Sequence, residues 1–313
     1  MKKTAVVAIG GNAVNRPGEP ATAENMMKNL AETAVYLADM LDSFEIVITH
    51  GNGPQVGNLL LQQEAAKDIV PPFPLDVNDA QTQGSLGYMI ALTLQNELIR
   101  RGIEKEVAAV VSRLVVDEND PAFKEPTKPV GPFYSKEEAE KLMKEKGWKM
   151  VEDAGRGWRR VVPSPWPLDF VEKEVVREFL KSGIVAIAAG GGGIPVVREK
   201  DGTFRGVEAV IDKDRASSLL AIELDVDILI ILTGVEKVYL NFGKPDQKAL
   251  DVLTTSEAKK YLEAGEFPKG SMGPKIEASI KFVEETGREA LITDMSKLKE
   301  ALEGKTGTRI VKG

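Results

Sequence analysis

Three lysines stand inside turns defined by proline, glycine or aspartate, where a lysine can do more than solvate a surface. In Gly270-Ser271-Met272-Gly273-Pro274-Lys275, Pro274 suits the first turn of a helix that continues with Ile276, Ile280 and Val283 on one face. Lys275 then adds a full charge to the positive end of that helix. Ile211-Asp212-Lys213-Asp214 also precedes a helical pattern, with Asp212 as a plausible N-cap and the acids placed to satisfy amides or orient Lys213. Lys128 sits between prolines in Pro126-Thr127-Lys128-Pro129, which stiffen the loop presenting it. Three glycine-rich turns, Gly10-Gly11-Asn12, Gly51-Asn52-Gly53 and Gly190-Gly191-Gly192-Gly193, each follow an apolar β-type run. Glycine there lets backbone amides approach an anion closely, and one such turn alone is more often mere chain geometry. Three of them beside well-placed lysines point to a phosphate-bearing ligand.

The familiar phosphate motifs do not account for that ligand. Gly51-x-Gly53-x-x-x-Gly57 follows a strand, yet Pro71-Pro72-Phe73-Pro74 occupies the place where a dinucleotide fold needs its second strand and terminal acid. A P-loop fails in both places it could stand: Gly304-Lys305-Thr306 has Lys299 where the first glycine should be, and Gly265 to Gly270 is followed by Ser271 rather than lysine. Composition removes further chemistries. Without cysteine there is no thiolate nucleophile, no Cys-ligated metal and no disulfide, and a single histidine excludes any site needing two imidazoles. His50 directly precedes Gly51, and two roles stay open for it: a strut that hydrogen-bonds the loop, or an acid–base group. The strut is favoured because nothing beside it reads as a catalytic partner. The net charge of −7 argues against a nucleic-acid binder. The apolar stretch Ala5 to Ile9 ends at Gly10-Gly11 without a cleavage site, so it reads as a strand rather than a signal peptide. No apolar run approaches the roughly 18 residues a membrane span needs. A cytoplasmic protein with no membrane or nucleic-acid partner is expected.

The elements that must position these residues follow from hydrophobic period. Val6 to Ile9 is a first strand, Thr22 to Leu41 a helix with Met27, Leu30, Ala34, Leu37 and Leu41 at helical spacing, and Phe44 to Thr49 a second strand. A helix over Leu86 to Arg100 stops at Gly102, Val107 to Val116 is a third strand region, and further strands lie at Ile184 to Ala188, Ile228 to Leu232 and Ala290 to Ile292. Apolar strands alternating with helices imply a mainly parallel sheet covered on both faces. Residues from about 117 to 167, rich in Pro, Lys and Trp, break that rhythm and read as a lid or small subdomain packed by Trp148, Trp158 and Trp166. Pro195 to Val207 reads as a hairpin turning at Lys200-Asp201-Gly202.

Several strings taken together carry a likeness: AIGGNA from Ala8, THGNGPQVG from Thr49, DPAFKEPTKPVGPFY from Asp120, GRGWRRVVPSP from Gly155, AAGGGGIPV from Ala188, AVIDKD from Ala209 and GSMGPK from Gly270. They span almost the whole chain and resemble the carbamate-kinase branch of the amino acid kinase family. The resemblance implies one α/β domain over 1–313, an αβα sandwich around a mainly parallel open sheet with a protruding lid subdomain at about 117–167. It implies an N-lobe, about 1–183, for the phosphoryl acceptor and a C-lobe, about 184–313, for ATP. The implied reaction is reversible phosphoryl transfer between ATP and carbamate, giving ADP and carbamoyl phosphate, in a homodimer. Gly10, Gly11, Asn12, Gly51, Asn52 and Gly53 match the family's anion-binding turns, and Lys128, Lys213 and Lys275 its phosphate-contacting lysines, organised by Asp212 and Asp214. Thr233, Val235, Phe242, Met272 and Pro274 fall on the nucleotide side. Mg²⁺ is expected with the nucleotide and no protein ligand for it is assigned. Kept beside this are a kinase for another small carboxylate or phosphate, and a regulatory protein that binds nucleotide or carbamoyl phosphate without turnover.

Overall fold

The computed structural model describes residues 2–152, 157–268 and 270–313; Met1 and the Gly155-Arg156 part of the excursion lie outside the described residues. A continuous apolar run along the first strand fixes the architecture. Lys3–Ile9 turns Ala5, Val7 and Ile9 toward one layer of helices and Val6 and Ala8 toward the other, and all five are fully buried. The first layer holds Ala23–Met40 and Leu75–Arg101, which contribute Leu30, Leu37, Leu86, Ile90 and Leu94 to the core. The second holds Lys213–Glu223 and Met272–Thr286, with Leu220, Ile276, Phe282 and Val283. Each large aliphatic side chain so buried contributes roughly 1.5–3 kcal/mol. The result is an αβα sandwich.

Its central sheet has eight strands. Lys3–Ile9 pairs in parallel with Phe44–His50 on one side and Ile228–Thr233 on the other. Val185–Ile187 and Val107–Ala109 extend the first side in parallel, and Glu289–Asp294 extends the second. Thr308–Val311 runs antiparallel to Glu289–Asp294 and carries Val252–Thr254 at the edge. Strand order therefore diverges around Lys3–Ile9, and the crevice beyond the carboxyl ends of such strands is where open α/β sheets bind ligands. Among the described helices none is long and apolar enough to cross a membrane.

Two elements differ from the sequence expectation. The helix expected over Leu86 to Arg100 runs Leu75–Arg101, because its first turns bury Asn78, Asp79, Thr82 and Gln83 and so break the apolar period. The strand region 107–116 divides into Val107–Ala109 in the main sheet and Arg113–Val116 in a four-stranded sheet with Pro167–Phe170, Ile194–Arg198 and Phe204–Gly206. That second sheet contains the expected hairpin, closed by Glu199 N–H on Thr203 O and Gly202 N–H on Glu199 O.

The described part of the excursion is a small subdomain: a three-stranded antiparallel sheet of Lys128–Tyr134, Trp158–Val162 and Lys149–Glu152, with the helix Lys136–Lys146. That helix opens with a Ser135/Glu138 capping box and closes at Gly147 with φ 65°. Trp148 lies between Lys146 and Arg160, 4.7 and 4.6 Å from its ring centre, inside the subdomain. Trp166 instead stacks under Arg215 of the main body at 4.4 Å. Ion pairs Lys146–Glu64 at 2.7 Å and Arg160–Glu208 at 2.9 Å tie the subdomain to that body.

Candidate active site

Helix ends bring two of the lysines together. Asp212 caps Lys213–Glu223 by accepting the Asp214 N–H at 2.9 Å, which places Lys213 and Asp214 in the first turn. Met272–Thr286 begins alongside, with Lys275 in its first turn. Lys213 Nζ donates to Asp214 Oδ1 at 2.7 Å and Lys275 Nζ to Asp214 Oδ2 at 2.8 Å, so one buried carboxylate holds both ammonium groups. Burial by itself would raise the Asp214 carboxyl, but the two lysines override it and hold it below the usual carboxylate range. Burial pushes the Lys213 ammonium down from its ordinary value, while Asp214 works to keep it charged. Lys128, from the subdomain, reaches Asp212 Oδ2 at 2.9 Å. All three lysines line one cavity of about 630 Å³, together with Gly11, Gly51, Asn52, Gly53 and Pro274.

The three glycine turns prove unlike one another. Gly11 and Gly53 have open space where a Cβ would stand, and both line the cavity. A Cβ on Gly10 would lie 2.9 Å from Leu232 O, so that glycine serves the close approach of two strand ends. Gly190 to Gly193 is a buried packing piece rather than an open anion turn, and only Gly191 of the four lines the cavity. A Cβ at Gly192, whose φ is +98°, would fall 2.1 Å from Ile211 O, one residue before the Asp212 cap. We therefore expect Gly192→Ala to lose about 3 kcal/mol or more in chemical denaturation, since the backbone conformation and the contact are both unfavourable for a side chain.

His50 is buried at the end of Phe44–His50, and its Nδ1–H donates to Gly51 O at 3.0 Å. Burial pushes its pKa down to about 4, so the ring is neutral near pH 7. The geometry is that of a support behind the Gly51 turn. Asn52 is likewise turned inward: its Nδ2 donates to Asp79 Oδ1 at 3.0 Å and to Thr82 Oγ1 at 2.8 Å. Neither Asp79 nor Thr82 was singled out from sequence, and nothing in a polar stretch of helix signals such a contact.

A second cavity of about 510 Å³ adjoins the first, sharing Gly11, Lys213 and Lys275 and adding Gly10, Asn12, Thr233 and Asp294. Of the five residues expected on the nucleotide side, Thr233 and Pro274 each line a cavity. Met272 packs against the core of its helix layer, Val235 is half-buried, and Phe242 is exposed with its ring 5.8 Å from that of Tyr239. Arg159, which is not among the residues expected at the site, also lines the larger cavity. The described residues contain no cluster of three or more His, Cys, Asp or Glu able to hold a metal. Both Asp214 oxygens are already committed to lysines. This donor set fits a divalent ion brought in on nucleotide phosphates and completed by water, not one caged by the protein.

Ammonium groups at two helix N-termini, facing open glycine turns across the switch point of a parallel sheet, are suited to neutralising a transferring phosphoryl group. Comparison with known proteins agrees. The sequence profile of the amino acid kinase family matches residues 3–294, and the chain belongs to that family. Its similarity runs end to end with carbamate kinases. It is 52% identical to the "Carbamate kinase" of Thermococcus kodakarensis over 314 residues, covering 99% of both chains. It is 50% identical to that of Clostridium perfringens, covering 98% of this chain and 99% of the relative. The solved structure of "Carbamate kinase from Giardia lamblia bound to AMP-PNP" superposes with a TM-score of 0.95 at 42% identity, over 100% of this chain and 99% of that one.

Proposed function

We propose that the protein is an ATP:carbamate phosphotransferase, catalysing reversible transfer between ATP and carbamate to give ADP and carbamoyl phosphate. The observation that carries this reading is the convergence of Lys213 and Lys275 on Asp214 in a cavity also lined by the two open turns and by Lys128, which pairs with Asp212. Carbamate is already an anion, so its oxygen attacks the γ-phosphorus without a base removing a proton. The new O–P bond forms as the bond to the β,γ-bridging oxygen breaks, and ADP leaves. No covalent enzyme intermediate is involved. A neutral, buried His50 is consistent with a reaction that asks nothing of imidazole.

The likeness to the family supports the following roles. Gly10, Gly11, Asn12, Gly51, Asn52 and Gly53 receive the acceptor and the transferring group through backbone amides. Lys128, Lys213 and Lys275 neutralise developing charge, and Asp212 and Asp214 hold them in place. Thr233, Val235, Phe242, Met272 and Pro274 form the nucleotide side. Mg²⁺ on the nucleotide phosphates supplies further charge neutralisation when bound. In this reading residues from about 1 to 183 form the acceptor lobe, with the subdomain at about 117–167 as lid, and those from about 184 to 313 the nucleotide lobe. A homodimer is supported by the likeness to the family.

Incubation with carbamoyl phosphate, ADP and Mg²⁺ is expected to yield ATP. Binding of ADP with no ATP formed would instead favour a regulatory protein, and turnover only with a different small carboxylate or phosphate would redirect the acceptor assignment.

A further inference from the structure

Behind the Gly51-Asn52-Gly53 turn lies a carboxyl group that the reaction chemistry does not use. Asp79 is 2% exposed, in the second turn of Leu75–Arg101. Its Oδ1 accepts from Asn52 Nδ2, while its Oδ2 is buried with no hydrogen-bond partner. Thr82, one turn on, gives its hydroxyl hydrogen to Asp79 O at 2.7 Å and is left as an acceptor for the same Asn52 Nδ2 at 2.8 Å. The Asn52 amide nitrogen is therefore fully committed to this helix. On its other side stands Gly191, where a Cβ would come within 2.3 Å of Asn52 Nδ2. Asn52 O in turn accepts the Val56 N–H that starts the helix Gly53–Ala66.

These contacts fix the turn in three directions: to the long helix, to the Gly190–Gly193 segment and to the helix that follows. The side chain of Asn52 is the peg, and Asp79 and Thr82 are its socket. A burial this complete costs free energy when one carboxyl oxygen is left unpaired, and an apolar residue in the second turn of a core helix would avoid that cost. What the carboxyl does provide is an acceptor aimed at Asn52.

We propose that Asp79 is a positioning residue of the acceptor turn, acting through Asn52 to set where the Gly51–Gly53 backbone amides stand against the phosphoryl acceptor. The inference rests on the reading that this turn receives carbamate and carbamoyl phosphate. A turn released from its peg misplaces amides by fractions of an ångström, and misplacement on the ångström scale reduces catalysis by up to about a hundred-fold. The nucleotide, held through Thr233 and the Lys275 helix, is not reached by this contact.

The test is a steady-state comparison of Asp79→Ala, Thr82→Val and Asp79→Asn, with Gly53→Ala as reference, in the direction of ATP formation. Asp79→Ala and Thr82→Val each remove one partner of Asn52. Both are expected to raise KM for carbamoyl phosphate about ten-fold while KM for ADP stays within about two-fold. Asp79→Asn retains a carbonyl oxygen for Asn52 and is expected to recover most of that loss. Thr82→Val carries the test should Asp79→Ala not fold. Gly53→Ala places a methyl in the cavity itself and raises the carbamoyl-phosphate KM if the turn is the acceptor site. If it does so while folded Asp79→Ala and Thr82→Val keep the wild-type KM, the positioning role is overturned and the acceptor reading stands. If Gly53→Ala has no such effect, the acceptor reading falls and takes the inference with it. Parallel rises in both KM values would mark Asp79 as merely structural.

Discussion

Replacing Lys213 or Lys275 with methionine is expected to lower kcat by about a thousand-fold in a protein that still folds. The size of the effect follows from what the reaction asks of the site. Phosphoryl transfer needs little covalent chemistry from the protein, so most of the rate comes from placing positive charge against the transferring group, and removing one such group typically reduces rate by roughly 10²- to 10³-fold or more. Both ammonium groups are held within 2.8 Å of Asp214, each on the first turn of a helix whose N-terminus adds to its field. Methionine keeps the aliphatic stem and removes the charge, which separates packing from electrostatics. Asp214 keeps one counter-charge in either single variant, so the fold should lose only about 1–2 kcal/mol, short of the roughly 3–5 kcal/mol seen when a buried charge is left wholly unpaired. The double variant strands Asp214 and should be less stable than the sum of the singles. Initial rates and thermal denaturation measured side by side check this. Wild-type turnover from a folded double variant would remove the lysines from the mechanism.

Those lysines were legible because the sequence marks them with special neighbours. Asp212 as a cap and Pro274 in a first turn are local signals, and local signals survive translation into structure: Lys213 and Lys275 both stand in the first turn of the expected helices. Strands were legible for a similar reason, since residues Ala5 to Ile9 of the first strand are buried on both faces and continuously apolar. What stayed hidden is set by contacts between segments far apart in sequence. The Leu75 start of the long helix escapes a periodicity argument because Asn78, Asp79, Thr82 and Gln83 are buried polar residues; the partners of Asp79, Thr82 and Gln83, namely Asn52, Ser112 and Gly190, lie elsewhere in the chain, while Asn78 donates to Phe73 O and Pro74 O just before the helix. Gly190 to Gly193 looks like the other two glycine turns in sequence, yet what distinguishes it is the proximity of His50, Asn52, Ile211 and Leu114 to the places its side chains would occupy. The resemblance already implies that Asp212 and Asp214 organise the lysines, but spacing alone does not show that Lys213 and Lys275 share the one carboxylate of Asp214.

The same two aspartates predict opposite responses of stability to pH, and the Asp79 response is the larger in the alkaline direction. Burial pushes the Asp79 carboxyl up to about 8, assisted by the nearby negative Asp76 and opposed by its hydrogen bond from Asn52. In the unfolded chain an aspartate titrates near 4. Between about pH 4 and pH 8 the folded protein therefore holds a proton that the unfolded chain releases, and stability falls as pH rises through that window, then levels off once both forms are ionised. Asp214 works the other way: its folded carboxyl is depressed, so its contribution is present at neutral pH and fades only as acid protonates it below the unfolded value. Asp79→Asn removes the first dependence and leaves the second. The stability difference between Asp79→Asn and wild type should then grow in favour of the variant by about 1 kcal/mol per pH unit from pH 5 to pH 8. Urea denaturation at four pH values measures it directly. A difference that stays constant across the window would mean that Asp79 is ionised in the folded protein, with its Oδ2 solvated or paired rather than alone behind the Asn52 peg.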